Sequence, residues 1–397
     1  MSPQRERLKV LGAGIASLML VLGVARFAYT PLLPLMQQQA GLGVAQAGWL
    51  AAINYAGYLC GALLASRLDD LRRKDRLYRF GMLLAVLSTA LMGVSDRFAV
   101  WALSRFLAGL CGAAGMVLGT GLILHWLLRQ RHRAELGIHF SGIGLGIAVC
   151  AVAAELMKTR LDWRGQWFAL AACGALLAYP ALRWLPPPVP DGHTIAGEKL
   201  VDRPPGRVFE RMLMAFYFCT GFGYVVSATF IVAITNRLPG LAGQGNLVFL
   251  AIGIGAAPAC INWDLIARRT GPIDALILSA VLQIVGILLP VLLGGLAASV
   301  LGALLFGGTF IGQVSLVLTL AGRHYPTRPA KMMGRMTAAY GLAQIIGPAL
   351  TGALAERLGG GYATGLYLAA GVMAVGVALL VILKGLRPGA ADPSSLA

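Results

Sequence analysis

Residues 21–34 read VLGVARFAYTPLLP, and residues 101–115 read WALSRFLAGLCGAAG. Each belongs to a long apolar run, and each holds one arginine, Arg26 and Arg105. A helix of about 20 apolar residues spans a bilayer. A cation at that depth is costly, so it faces a protein interior or a wet cavity and marks function. The reading of the chain turns on what these two charges do.

The rest of the chain has the same character. Hydrophobic residues make up 58% of the 397, charged residues 12%, and the mean hydropathy is +0.75. A soluble domain has no use for so much apolar surface. Twelve runs stand out, at about 9–33, 46–66, 79–95, 98–128, 136–157, 167–185, 211–235, 246–266, 273–294, 297–320, 334–355 and 363–384. They are continuous rather than alternating, so they predict helices and not the strands of a membrane barrel. The expected fold class is an all-α membrane protein with about twelve transmembrane helices.

Residues 186–208, PPPVPDGHTIAGEKLVDRPPGRV, are rich in proline, glycine and charge, the composition of a linker. The expected organisation is a six-helix bundle over 1–185, a cytoplasmic linker over 186–208 and a second six-helix bundle over 209–397. The halves echo one another at an offset near 200. Gly23-x-x-Arg26 matches Gly221-x-x-Tyr224, Leu50-Ala51 with Cys60 matches Leu250-Ala251 with Cys260, and Arg105-x-x-x-Gly109 matches Leu304-x-x-x-Gly308. A shared offset across several helices is the plan of a duplicated secondary transporter.

The formal net charge is +17. Its distribution argues for a membrane rather than nucleic acid. With the N-terminus placed in the cytoplasm, 25 of the 33 lysines and arginines fall in cytoplasmic segments and 6 in outer loops, besides Arg26 and Arg105. That bias puts both termini inside and sets the basic loops against anionic lipid headgroups. The apolar run after MSPQRERLKV is too long for a cleaved signal and lacks a small-residue cleavage site. The six cysteines fall in different predicted helices, with no C-x-x-C pair, and the five histidines show no zinc spacing. No cofactor and no metal are expected.

Polar residues line some runs at helical spacing and spare others. Arg26, Tyr29 and Thr30 mark the first run, Asn54 and Tyr58 the second, Thr220, Tyr224 and Ser227 the seventh. Thr309 and Gln313 mark the tenth; Thr337, Tyr340, Gln344 and Thr351 mark the eleventh. Lipid cannot satisfy such stripes, so they face one another or water. Singly, each residue reads as an interhelical hydrogen bond. Together they read as a cavity, because every third run is nearly plain.

At this point the chain resembles the major facilitator superfamily. Arg105-Phe-Leu-Ala-Gly109 is similar to that superfamily's Arg-x-x-x-Gly motif, and Asp162-Trp163-Arg164-Gly165-Gln166-Trp167-Phe168 to its Trp-Arg…Phe signature. The loop after the second run departs from the family's Gly-x-x-x-Asp-Arg-x-Gly-Arg-Arg. Ala65 stands in place of the aspartate, and Asp69 or Asp70 beside Arg72 and Arg73 are left to serve as the charge lock. A finer resemblance to the YbfB/YjiJ branch rests on Gly23-Val-Ala-Arg26-Phe27-Ala-Tyr29-Thr30-Pro31, Phe140-Ser-Gly142-Ile-Gly144-Leu-Gly146, Gly221-Phe-Gly223-Tyr224-Val-Val-Ser227-Ala-Thr229-Phe230 and Gln344-Ile-Ile-Gly347-Pro348. The resemblance implies two bundles with helices one, four, seven and ten around a central cavity, in a monomer of a bacterial inner membrane.

The expected function is secondary active transport of a small solute by alternating access. The solute is read as an organic anion, because Arg26 and Arg105 lie at similar depth without a mid-membrane carboxylate. A carboxylate takes bidentate hydrogen bonds from a guanidinium. Tyr29, Asn54, Tyr58, Tyr224, Gln313, Tyr340 and Gln344 supply neutral contacts in that reading. In the structural alternative, Arg105 binds helix carbonyls and Arg26 pairs with Glu155 or snorkels outward. Glu155 and His139 are the candidate relay groups if protons are coupled, and Gly347-Pro348 is a candidate hinge. A drug or metabolite exporter and a non-transporting sensor are the other readings of the same fold. No catalytic or nucleotide-binding motif points to an enzyme.

Overall fold

A computed structural model describes residues 3–68, 70–130, 136–188, 204–324, 329–358 and 362–386. Asp69 and most of the expected linker lie outside the described residues. Those described form helices, with no strand among them. Eleven helices are long and apolar enough to cross a membrane: α1 (Gln4–Ala40), α2 (Val44–Ser66), α3 (Leu71–Val94), α4 (Phe98–Leu127), α5 (Leu136–Met157), α6 (Trp163–Arg183), α7 (Arg207–Thr235), α9 (Pro272–Leu292), α10 (Gly295–Ala321), α11 (Met332–Arg357) and α12 (Ala363–Gly385). Between α7 and α9 a bent pair, Gly245–Ala256 and Ala259–Thr270, makes the twelfth span, α8, with a 47° bend.

Three boundaries differ from expectation. The eighth run, 246–266, is expected as one helix. Pro258 lacks an N–H and its ring crowds the preceding turn, so the helix breaks there. The third helix starts at Leu71, well before the expected 79, because its first turns are charged and hydropathy does not register them; the Asp70 side chain caps it, accepting from Arg72 N at 2.8 Å. The first helix runs past Pro31 and Pro34 to Ala40, and its stretch Met19–Phe27 is wound as a π-helix.

Glycines set the packing. A Cβ on Gly109 of α4 would press on the Asn54 carbonyl and on Tyr58 N at 2.7 Å, and one on Gly57 of α2 on the Phe106 carbonyl. The same pair of contacts recurs between α8 and α10. Gly307 faces the Ile252 carbonyl, and Gly255 faces the Leu304 carbonyl at 2.5 Å. Small residues let the backbones approach this closely. Every partner is displaced by 198 positions, the separation of Arg26 and Tyr224. The expected pairing of Arg105-x-x-x-Gly109 with Leu304-x-x-x-Gly308 is therefore one residue out of register. Runs of small apolar residues slide by one without penalty in sequence; backbone contact does not.

One end of the bundle carries the charged helix termini around Arg79, Arg207, Arg268 and Lys384, and is called the basic end. The other carries residues 41–43, 158–162 and 236–244, and is called the sparse end. At the basic end Arg79 donates to Asp75 (2.9 Å) and to the carbonyls of Leu182 (2.8 Å) and Leu185 (3.0 Å), tying α3 to the end of α6. Lys384 and Asp274, 2.7 Å apart, tie α12 to α9 in the same manner. The outer helices of each set are thus clamped, and the interior polar groups include Arg26 and Thr30 of α1, Asn54 of α2, Arg105 of α4, Thr220 and Ser227 of α7, Gln313 of α10 and Gln344 of α11.

Candidate functional site

Arg105 and Arg26 are both buried, 2% and 7% exposed, and their surroundings differ. Arg105 Nη1 donates to the carbonyls of Ala25 (3.0 Å) and Arg26 (3.3 Å) in the π-wound stretch of α1. A π-turn misaligns carbonyls from the helical ladder, and the guanidinium satisfies them. Its face lies 4.7 Å from the Tyr29 ring, and the Arg105 carbonyl accepts from Asn54 Nδ2 at 2.8 Å. Tyr29 is itself fixed by donating to the Ala47 carbonyl at 3.0 Å.

Arg26 is held by aromatic faces. Its guanidinium carbon lies 4.2 Å from the Tyr55 ring centre and 5.3 Å from that of Tyr58, both on α2. Nη2 donates to the Tyr224 hydroxyl of α7 at 3.4 Å, and Nε has no partner. One turn further, Thr30 Oγ1 donates to the Ala228 carbonyl at 2.7 Å. Among the described residues the ion pairs sit near helix ends, and neither interior arginine belongs to one. A cavity of about 10 Å³ lies between Arg26, Tyr29, Thr30, Tyr55, Arg105 and Thr229. It has room for about one water, so the site is collapsed in this conformer.

Tyr224 also begins a wall of rings. It stacks on Phe310 (4.9 Å between centres) and, more distantly, on Phe306 and Tyr340 (6.3 and 6.1 Å); Tyr340 in turn meets Tyr217 at 4.5 Å. Gln313 and Gln344 are buried, with Nε2 of the first and Oε1 of the second lacking partners. The structure thus brings Arg26, Tyr29, Asn54, Tyr58, Arg105 and Tyr224 into one cluster, with Tyr340 reached through the stack.

The expected gating residues are elsewhere. Glu155 lies at the sparse end, half-exposed, accepting from Asn246 of α8 at 2.9 Å and lying 3.4 Å from Lys158. The expected alternative of an Arg26–Glu155 pair is not what the structure holds. His139 is fully buried, with Nε2 2.9 Å from Thr120 Oγ1 and its ring against Gly14, among α1, α4 and α5. Asp70 is a helix cap that also pairs with exposed Arg73 (3.5 Å), and Arg72 joins it only through the backbone. Asp75 and Arg79, which sequence reasoning passed over, form a more buried ion pair on the same helix. Gly347 packs on Val225, and the Pro348 carbonyl closes against Gly48 of α2.

At the sparse end the first six helices meet the last six. Gln37 Nε2 donates to the Tyr362 hydroxyl (2.9 Å), which contacts the Val44 carbonyl (3.3 Å), and Lys158 reaches the Gly243 carbonyl (3.5 Å). Burial pushes the Tyr362 phenol up to about 12, against the opposing pull of the Gln37 hydrogen bond and Arg237. Among the described residues no cluster of three histidine, cysteine or carboxylate side chains offers a metal site.

Sequence reasoning also passed over Tyr55, Tyr217, Phe306 and Phe310. Tyr55 and Tyr58 share a helical face, a spacing that was available; the phenylalanines read as ordinary core.

The profile of a family described as "Uncharacterised MFS-type transporter YbfB" matches residues 18–381. The uncharacterized MFS-type transporter YceJ of Bacillus subtilis is 27% identical over 169 residues, 41% of each chain. The drug efflux pump JefA of Mycobacterium tuberculosis is 27% identical over 174 residues, 44% of this chain and 34% of that protein. The chain therefore covers less than two thirds of either relative's length. Two crystal structures of the nucleoside transporter NupG, one of a point mutant, share the fold. TM-scores are 0.72 and 0.70 at 16% and 15% identity, covering 94% and 97% of this chain and 99% of each of theirs.

Proposed function

The chain belongs to the YbfB-type family of major facilitator transporters, and from that premise we propose that it is a secondary active transporter carrying a small organic anion by alternating access. The observation that carries this reading is Arg26: a buried guanidinium, with a free Nε, where the first six helices meet the last six, and no carboxylate beside it. A buried cation without a counter-ion is costly. A solute carboxylate supplies the missing charge and accepts two hydrogen bonds from the fork. Nη1 of Arg105 is engaged by the carbonyls of α1, and in this proposal Arg105 acts as a positioning residue.

In this proposal residues 1–185 and 209–397 rock as two bodies about the arginine site. The sparse end faces the periplasm, both termini lie in the cytoplasm of a bacterium, and the conformer described is shut toward the outside. The charge distribution supports that orientation. Binding of the anion to Arg26 competes with the Tyr224 hydroxyl, so occupancy and opening are coupled. With no carboxylate at the site, any co-transported proton enters with the solute or through groups outside the cluster.

Uptake of small carboxylates into proteoliposomes tests the proposal, beside neutral sugars and cationic drugs as controls. Saturable flux of a carboxylate that disappears in Arg26→Gln is the expected result. Normal flux through a well-folded Arg26→Gln protein refutes it.

A further inference from the structure

We infer that the solute is an aromatic carboxylate; this rests on the anion reading above and adds the chemistry of the rest of the molecule. The charge comes first. Arg26 presents an unpartnered Nε beside the cavity, so a carboxylate is matched there.

The last six helices supply the surface opposite Arg26, and aromatic rings gather around the Tyr224 hydroxyl there. The Tyr224 plane lies within 2° of Phe306, 21° of Phe310 and 24° of Tyr340. Rings contributed by α7, α10 and α11 are thus nearly parallel around Tyr224, whose hydroxyl already touches Arg26. Parallel, offset rings at this spacing accept a further flat ring with the same geometry. When the two sets of helices part, the slot that opens has a guanidinium at one edge and aromatic faces along the other.

Two amides extend the same surface. Gln313 follows Phe310 by three residues on α10, and Gln344 follows Tyr340 by four on α11, so each shares a helical face with its ring. Both are buried, 1% and 3% exposed, and each has a polar atom without a partner. Buried polar groups are ordinarily satisfied. A hydroxyl or ring nitrogen on the solute satisfies them, and an unsubstituted aliphatic chain does not.

The test compares acids of equal charge and similar size on the purified full chain by isothermal titration calorimetry. Benzoate is expected to bind about ten-fold tighter than cyclohexanecarboxylate, the difference expected of well-placed ring stacking. Phe310→Leu is expected to bring the benzoate to cyclohexanecarboxylate ratio to about one. Equal binding of the two acids to the unaltered protein overturns the aromatic inference and leaves the anion reading standing. Binding of neither overturns both. If Phe310→Leu does not fold, the ratio in the unaltered protein decides the matter by itself.

Discussion

Arg26 and Tyr224 are separated by 198 residues and meet through a 3.4 Å hydrogen bond. The glycine contacts of α2 with α4 and of α8 with α10 repeat at that same separation, so the two residues occupy equivalent positions of the duplicated halves. Equivalent positions touch only on the pseudo-two-fold axis that relates them. Thr30 and Ala228, at the same separation, meet there as well. A solute on that axis, as proposed above, would face a cation on one side and a phenol on the other.

The bond's length makes it weak, and its position makes it a closing contact. Tyr224→Phe removes the hydroxyl and keeps the ring. Unfolding stability is expected to fall by no more than about 1 kcal/mol. The population open at the sparse end is expected to rise, read as a longer distance between spin labels at Gln46 and Leu358. An unchanged distance distribution would count against a closing role.

Arg26 and Arg105 are expected to respond to mutation in opposite directions. Arg26 has aromatic partners worth about 2 kcal/mol when desolvated, set against a larger cost of burying an unpaired charge. Arg26→Met is therefore expected to leave the melting temperature unchanged or raise it while abolishing transport. Arg105→Met strips two carbonyls of their donor, and should cost about 1–3 kcal/mol. Thermal unfolding in detergent reads both. Equal destabilisation by the two substitutions would assign Arg26 a structural role.

Gly48 sits where α2 meets α11. A Cβ there would meet the Pro348 carbonyl and lie 3.1 Å from Gly352 Cα. The neighbour is backbone and cannot turn aside. Gly48→Val is expected to disfavour the closed sparse end, increasing modification of a cysteine placed at Ala51, a residue that borders the cavity beside Arg26. No gain in reactivity over the Ala51→Cys protein would show that this contact does not hold the end shut.

Twelve spans were legible because span length and continuous apolarity are dictated by the bilayer and do not depend on tertiary detail. The arginines were legible for the same reason, since charge in an apolar run is conspicuous. Their different roles were not. Whether Arg105 binds carbonyls depends on the π-winding of Met19–Phe27, which no local residue pattern announces. Pro258 breaks α8, whereas Pro180, Pro290 and Pro348 lie inside unbroken helices, so proline alone does not locate a bend. Phe306 and Phe310 look like core in sequence, and only the orientation of Tyr224 makes them part of a wall.

The Asp75–Arg79 pair gives the last prediction, because it separates stability from transport. Arg79 makes three hydrogen bonds, one to a carboxylate that is 12% exposed and two to carbonyls at the end of α6. A cation at a helix C-terminus is favourable, and charge-assisted bonds are stronger than neutral ones. The guanidinium is partly exposed, 31%, which screens part of the gain. Arg79→Ala is expected to cost about 2 kcal/mol. Lys384→Ala, at the more exposed pair with Asp274, is expected to cost under about 1 kcal/mol. Both pairs lie at the basic end, away from Arg26, so solute affinity should stay the same in each variant once the protein is folded. Equal losses for the two would mean that the carbonyl bonds of Arg79 contribute little. A drop in affinity with Arg79→Ala would tie the α3–α6 clamp to the site itself.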